Sequence, residues 1–177
     1  MKAKGLVIAF TGEGKGKTSA ALGVGLRAVG QGMKVVMIQF IKGEFPYGEA
    51  NSIARLSPDF ELIRTGRGYY QIRGDTLPPS EHKEAAEKGL RIAREKMLSQ
   101  RYQLVILDEI NLAVSLGLLS SDEVLELIKE KPEDVHLILT GRGFPEELAE
   151  YADLITEMKE VKHPYSKGIP AIRGIDF

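Results

Sequence analysis

The stretch Gly12-Glu13-Gly14-Lys15-Gly16-Lys17-Thr18-Ser19 constrains this chain more than any other. Before it, residues 5–11 (GLVIAFT) form an almost unbroken apolar run, the pattern of a strand buried on both faces. After it, Lys17–Gly30 carries Ala20, Ala21, Val24 and Ala28 at helical spacing. A Gly-rich loop between a buried strand and a helix is the context of a phosphate-binding loop. Glycines let backbone N–H groups converge on phosphate oxygens in conformations that a Cβ would block. The helix start adds partial positive charge. Lys17 supplies a point charge for the phosphates, and Thr18 a hydroxyl for Mg²⁺. The strict pattern has Gly at position 11, where this chain has Thr11. A plain Gly-rich turn is the competing reading, but such a turn has no need of Lys-Thr at the helix start.

The rest of the chain repeats the strand–helix rhythm. Further strands are expected at residues 34–40, 60–64, 103–108, 135–140 and 153–158, and a long amphipathic helix at 80–99. Ser120 and Glu123 have capping-box spacing and open a helix through Ile128, and residues 145–151 read as a short helix. Buried strands alternating with helices imply an α/β fold with a mostly parallel sheet, right-handed crossovers and helices on both faces. Ligands then bind beyond the carboxyl ends of the strands. Residues 42–79 break the rhythm, being rich in Gly, Pro, Arg and Tyr; irregular stretches of this length usually carry function.

The expected strand at 103–108 ends in Asp108-Glu109, an acidic pair able to hold Mg²⁺ or its water; Asp as a helix N-cap is the alternative. Thr140-Gly141-Arg142-Gly143 should share the edge of the phosphate loop, and Arg142 there either clamps phosphate or is a turn residue facing solvent. His136 reads as structural, His82 as sitting on a solvated helix start, and His163 as a loop histidine.

The 177 residues suit one domain, residues 1–177. A formal net charge of -1 gives no global attraction to nucleic acid or anionic membrane. The absence of Cys excludes disulfides, thiolate metal sites and a cysteine nucleophile, and fits a cytoplasmic address. No apolar run is long enough to span a bilayer. To this point the residues give a nucleotide, Mg²⁺ and a sheet edge, but no reaction.

Several short blocks together are more specific. TGEGKGKTSAA at 11–21, QFIKG at 39–43, LDEIN at 107–111, TGR at 140–142, ADLITEM at 152–158, His163-Pro164, Gly168 and the final Gly174-Ile175-Asp176-Phe177 resemble, in that order, the P-loop corrinoid adenosyltransferases. These proteins act on cob(I)alamin or cob(I)yrinic acid a,c-diamide. The resemblance runs from end to end and implies a P-loop, RecA-like fold. It implies that Co(I) attacks C5′ of ATP and displaces triphosphate in adenosylcobalamin biosynthesis or salvage. It also implies roles: Gly12, Glu13, Gly14, Lys15, Gly16, Lys17, Thr18 and Ser19 around the nucleotide, with Arg142 and His163. Lys17 and Arg142 act on the triphosphate, and Thr18 and Glu109 hold Mg²⁺. Position 13 is typically Asn in the family; Glu13 would repel phosphate unless it turns away or meets Lys15 or the metal. Phe45, Tyr47, Tyr69 and Tyr70 are the aromatic candidates for the corrinoid face. The same resemblance implies a flavoprotein or flavodoxin reductant, and a homodimer is the default assembly. Two other functions share the phosphate loop: a kinase or ATPase cleaving the terminal phosphate, and a non-enzymatic ATP-responsive module.

Overall fold

A computed structural model describes residues 4–43, 45–68, 70 and 75–176. In chain order they form β1 (Val7–Thr11), α1 (Lys17–Gly30), β2 (Val35–Gln39), α2 (Gly48–Ala54), β3 (Phe60–Arg64), α3 (Pro79–Leu98), β4 (Leu104–Asp108), α4 (Ile110–Ser115), α5 (Ser121–Lys129), β5 (His136–Thr140) and β6 (Leu154–Glu157). Single 3-10 segments lie at Glu146–Tyr151 and Pro164–Lys167.

The strands make one six-stranded sheet in the order β3-β2-β4-β5-β1-β6. Every neighbouring pair is parallel. Side chains alternate across a strand, so each central strand feeds two cores. Val36, Ile38, Val105, Leu107, Leu137 and Leu139 pack with Ala86, Leu90, Ala93 and Met97 of α3 and with α4 and α5. Val35, Met37, Leu104, Ile106 and Ile138 face the other way, against Ala21 and Ala28 of α1 and Ile53 of α2. Burying each such Leu or Ile contributes about 1.5–3 kcal/mol, which explains why the strands read as continuous apolar runs. α5 begins with the full capping box: the Ser120 hydroxyl accepts from the Glu123 amide at 3.2 Å, and the Glu123 carboxylate accepts from the Ser120 amide at 2.8 Å.

Three expectations need correcting. The segment 42–79 is not one irregular excursion, because it contains α2 as well as β3. α2 has seven residues and buries only Ile53, too little periodicity to be visible in sequence. The second short helix, α4, was likewise hidden directly behind the acidic pair. His82 does not face solvent. It is 4% exposed, its Nε2 lies 3.1 Å from Asp75 Oδ1, and its ring lies 4.7 Å from that of Tyr70. The buried face of α3 reaches almost to its first turn, and the preceding loop folds back to cover it. The segment 145–151 is 3-10 rather than α-helical. Tyr69 lies outside the described residues.

Candidate active site

The parallel order brings the carboxyl ends of β1, β2, β4 and β5 to one edge, with a cavity of about 810 Å³ over them. The phosphate loop curls between β1 and α1. Its need for positive φ falls on Gly12 (φ 95°) and Gly16 (φ 112°). A Cβ on Gly12 would lie 2.5 Å from the Met158 carbonyl just past β6. Glycine is therefore essential at position 12, and Thr11 is accommodated as the last residue of β1 with its hydroxyl accepting from the Phe144 amide at 3.3 Å.

Lys17 is 8% exposed and points back into its own loop, donating to the carbonyls of Gly12 and Gly14 at 2.7 Å each. Burial lowers its pKa, opposed by Glu109. The loop is thus curled round an ammonium, the arrangement that receives phosphate oxygens.

Behind the loop, Asp108 is fully buried and acts as the hub of a hydrogen-bond network. Its Oδ1 accepts from the hydroxyls of Thr18 and Thr140, both at 2.8 Å. Its Oδ2 accepts from Gln39 Nε2 at 3.1 Å and faces Lys42 Nζ at 3.2 Å. Lys42 also meets Glu49 at 2.9 Å. Burial alone would lower the Lys42 pKa, but Asp108 and Glu49 reverse this and raise it. Gln39 Nε2 also donates to Glu49 at 3.1 Å, leaving Gln39 Oε1 buried without a partner among the described residues.

Glu109 differs from its neighbour. Its backbone is left-handed (φ 65°), a strained state for a side chain this size. Its amide donates to Thr140 at 3.0 Å. Its carboxylate lines the cavity, and burial followed by the Asp108 charge raises its pKa. The Thr18 proton is committed to Asp108, so the Thr18 oxygen keeps lone pairs for a cation. The Thr18 hydroxyl and the Glu109 carboxylate are hard oxygen donors that suit Mg²⁺, whose shell is usually completed by phosphate and water. Among the described residues there is no group of three or more His, Cys, Asp or Glu side chains able to hold a metal unaided.

Arg142 follows β5 in a turn held by α4: Asn111 Nδ2 donates to the Gly141 carbonyl at 3.3 Å, and Ser115 Oγ to that of Gly143 at 3.1 Å. Its guanidinium lies 3.3 Å from the Glu13 carboxylate. Glu13 thus turns to Arg142 rather than to Lys15. Lys15 is ion-paired with Asp176 in the tail. Gly14, Gly16 and Ser19 line the cavity with these groups. His163 is not among the lining residues; its Nδ1 accepts from the Tyr165 amide. Phe45 and Tyr47 form an edge-on ring pair, centroids 5.2 Å apart, and Lys42 lies over the Tyr47 ring. Tyr70 packs against the core beside His82. Sequence reasoning missed Gln39, Lys42, Glu49 and Asn111. The blocks QFIKG and LDEIN hinted at Gln39, Lys42 and Asn111, but Glu49 lies outside both.

Comparisons with known proteins agree from end to end. The family model for ATP:corrinoid adenosyltransferase BtuR/CobO/CobP matches residues 3–177. A corrinoid adenosyltransferase of Escherichia coli K12 is 36% identical over 98% of this chain and 86% of its own length. One from Sinorhizobium is 39% identical over 98% and 81%, and corrinoid adenosyltransferase CobA of Salmonella typhimurium is 34% identical over 98% and 86%. Among solved structures, the flagellar accessory protein FlaH of Methanocaldococcus jannaschii superposes with a TM-score of 0.59 at 13% identity, covering 87% of this chain and 71% of that one; this likeness concerns the fold alone. The chain belongs to the ATP:corrinoid adenosyltransferase family.

Proposed function

We propose that this chain, as a single domain, carries out its family's reaction with the residues described above. Co(I) of a reduced corrinoid donates its electron pair to C5′ of ATP. The cobalt–carbon bond forms as the C5′–oxygen bond breaks, and triphosphate leaves with the bonding electrons. The nucleophile needs no base and the leaving group no acid, so the protein's task is positioning, charge neutralisation and water exclusion. Lys17 and the loop amides hold the triphosphate, assisted by Lys15 and Arg142. Thr18 and Glu109 hold Mg²⁺, which neutralises phosphate charge when bound. Asp108 touches no ligand; with Lys42, Gln39 and Thr140 it fixes the direction of the Thr18 hydroxyl. Phe45 and Tyr47, in the segment between β2 and α2 where Lys42 lies over the Tyr47 ring, offer an aromatic face for the corrinoid.

The observation that carries this reading is the Lys17–Thr18–Asp108–Glu109 arrangement within a chain that matches the family over residues 3–177. The deciding assay mixes ATP, Mg²⁺, chemically reduced corrinoid and the protein, and follows the alkyl-cobalt spectrum and the phosphate product. Alkyl-cobalt with triphosphate supports the reading. ADP as product would indicate a kinase or ATPase, and no turnover a binding module.

Among the described residues no helix is long and apolar enough to cross a membrane. We propose a cytoplasmic address with a flavoprotein as electron donor. A homodimer formed along the open β6 edge would cover Leu154 and Ile155, which are 43% and 44% exposed; light scattering tests it.

A further inference from the structure

The cavity holds a balance that its proposed ligand must break. Its walls carry four cationic side chains, Lys15, Lys17, Lys42 and Arg142, and four carboxylates, Glu13, Glu49, Glu109 and Asp176. The side chains that line this pocket for a polyanion are thus matched in number before the polyanion arrives. The pairing is specific. Lys42 belongs to Asp108 and Glu49 deep in the site, whereas the two outer cations are matched by outer carboxylates, Arg142 by Glu13 and Lys15 by Asp176.

Asp176 is the more deliberately placed of these outer anions. It reaches the phosphate loop from the far end of the chain through a turn of its own. Gly174 takes φ 81°, and the amides of Ile175 and Asp176 donate to the Ile172 carbonyl at 3.1 and 2.8 Å. The Ile172 amide donates back to Asp176 Oδ2 at 2.7 Å, which leaves Oδ1 facing Lys15. The Asp176 side chain is only 12% exposed, whereas Lys15 is 54% exposed. The turn therefore holds the carboxylate still and brings it to the lysine.

We propose that Asp176 is a built-in counter-anion for the phosphate loop: it holds Lys15 where a phosphate oxygen would, yields it when triphosphate binds, and takes it back as the product leaves. This rests on the phosphate-site reading above. Free triphosphate carries at least the negative charge that the same group carries in ATP, so a carboxylate that competes for one of its cations weakens product retention. A half-exposed ion pair of this kind is worth a small multiple in affinity, enough to set a release rate without abolishing binding.

The test is calorimetric titration of the full chain with inorganic triphosphate at fixed Mg²⁺ and low ionic strength. Asp176→Asn keeps the acceptor for the Ile172 amide, so the turn survives while the charge goes. It should tighten triphosphate binding about two- to fivefold, with a matching fall in the dissociation rate. In a Lys15→Met background the same substitution should change affinity little, whereas Glu13→Gln, which acts through Arg142, should still tighten it there. Unchanged or weaker binding in Asp176→Asn would overturn the proposal. So would an equal gain with and without Lys15, which would mark a general charge effect. If the unsubstituted chain takes up no triphosphate, the phosphate-site reading itself fails.

Discussion

Lys17 and Glu109 show how much one side chain decides here. Lys17 donates to two loop carbonyls, so its removal costs the loop some order but the core nothing. Lys17→Ala should stay folded by circular dichroism and lose about 10²-fold or more of its turnover, the scale expected when a donor aimed at developing charge is removed. Glu109 should show the opposite balance of stability and activity. Its pKa is raised by burial and by Asp108, so the folded chain resists its ionisation. The cost sets in as pH rises from the usual glutamate range through the raised value, and is fully present above that. Metal-free Glu109→Gln should therefore melt higher than the parent at neutral pH, with the gap closing as pH falls through the raised value into the usual glutamate range. Its Mg²⁺-dependent turnover should fall more than that of Asp108→Asn, whose loss should appear mainly as lost stability. Equal melting temperatures at neutral pH would show that the Glu109 charge carries no penalty. At this scale the sequence was legible where a residue type has one use in its context: Gly16-Lys17-Thr18 after a strand is such a case. His82 was misread because its partner Asp75 and its cover Tyr70 come from the preceding loop, whose path composition does not reveal.

At the scale of elements, the central strands β2, β4 and β5 were legible because a strand buried on both faces must be apolar almost throughout, whereas the edge strands β3 and β6, the latter exposed at all four residues, were legible only as short apolar runs. α2 and α4 were not legible. Helices of seven and six residues complete too few turns to show a periodic stripe, and both depend on packing rather than propensity. α4 nevertheless bears on the proposed site, since Asn111 and Ser115 hold the turn that carries Arg142. α5 is the contrasting case, marked in sequence by its cap. Ser120→Ala should remove the hydroxyl half of the capping box, leaving the Glu123 carboxylate on the residue-120 amide, and cost about 1 kcal/mol, a fall of about 2–4 °C in melting temperature for a chain of this size. The turnover of folded protein should not change, because the cap lies away from the cavity lining. An unchanged melting temperature would mean that the cap contributes nothing to the folded state.

At the scale of the whole molecule, the order β3-β2-β4-β5-β1-β6 gathers the ends of β1, β2, β4 and β5 under one cavity, and that gathering ties ligand binding to global stability. The alternation of elements implied this architecture; the charge pairs that close the cavity, Lys15 with Asp176 and Arg142 with Glu13, were not legible. They join residues remote in sequence, and single charged residues give no signal of their partners. The coupling itself is measurable. A ligand that binds only the folded chain stabilises it by about 2.7 kcal/mol at a concentration one hundred times its dissociation constant. For a domain of 150–250 residues that corresponds to a rise of about 5–10 °C in melting temperature. Mg²⁺ with triphosphate should produce this shift without any corrinoid, because every residue assigned to the phosphates is already in place around the cavity. Lys17→Ala should remove most of the shift, and Phe45→Ala or Tyr47→Ala should leave it intact, since both aromatic rings are assigned to the corrinoid. A full shift in Lys17→Ala would move the triphosphate out of the phosphate loop. Loss of the shift in the aromatic variants would place those rings against the nucleotide instead.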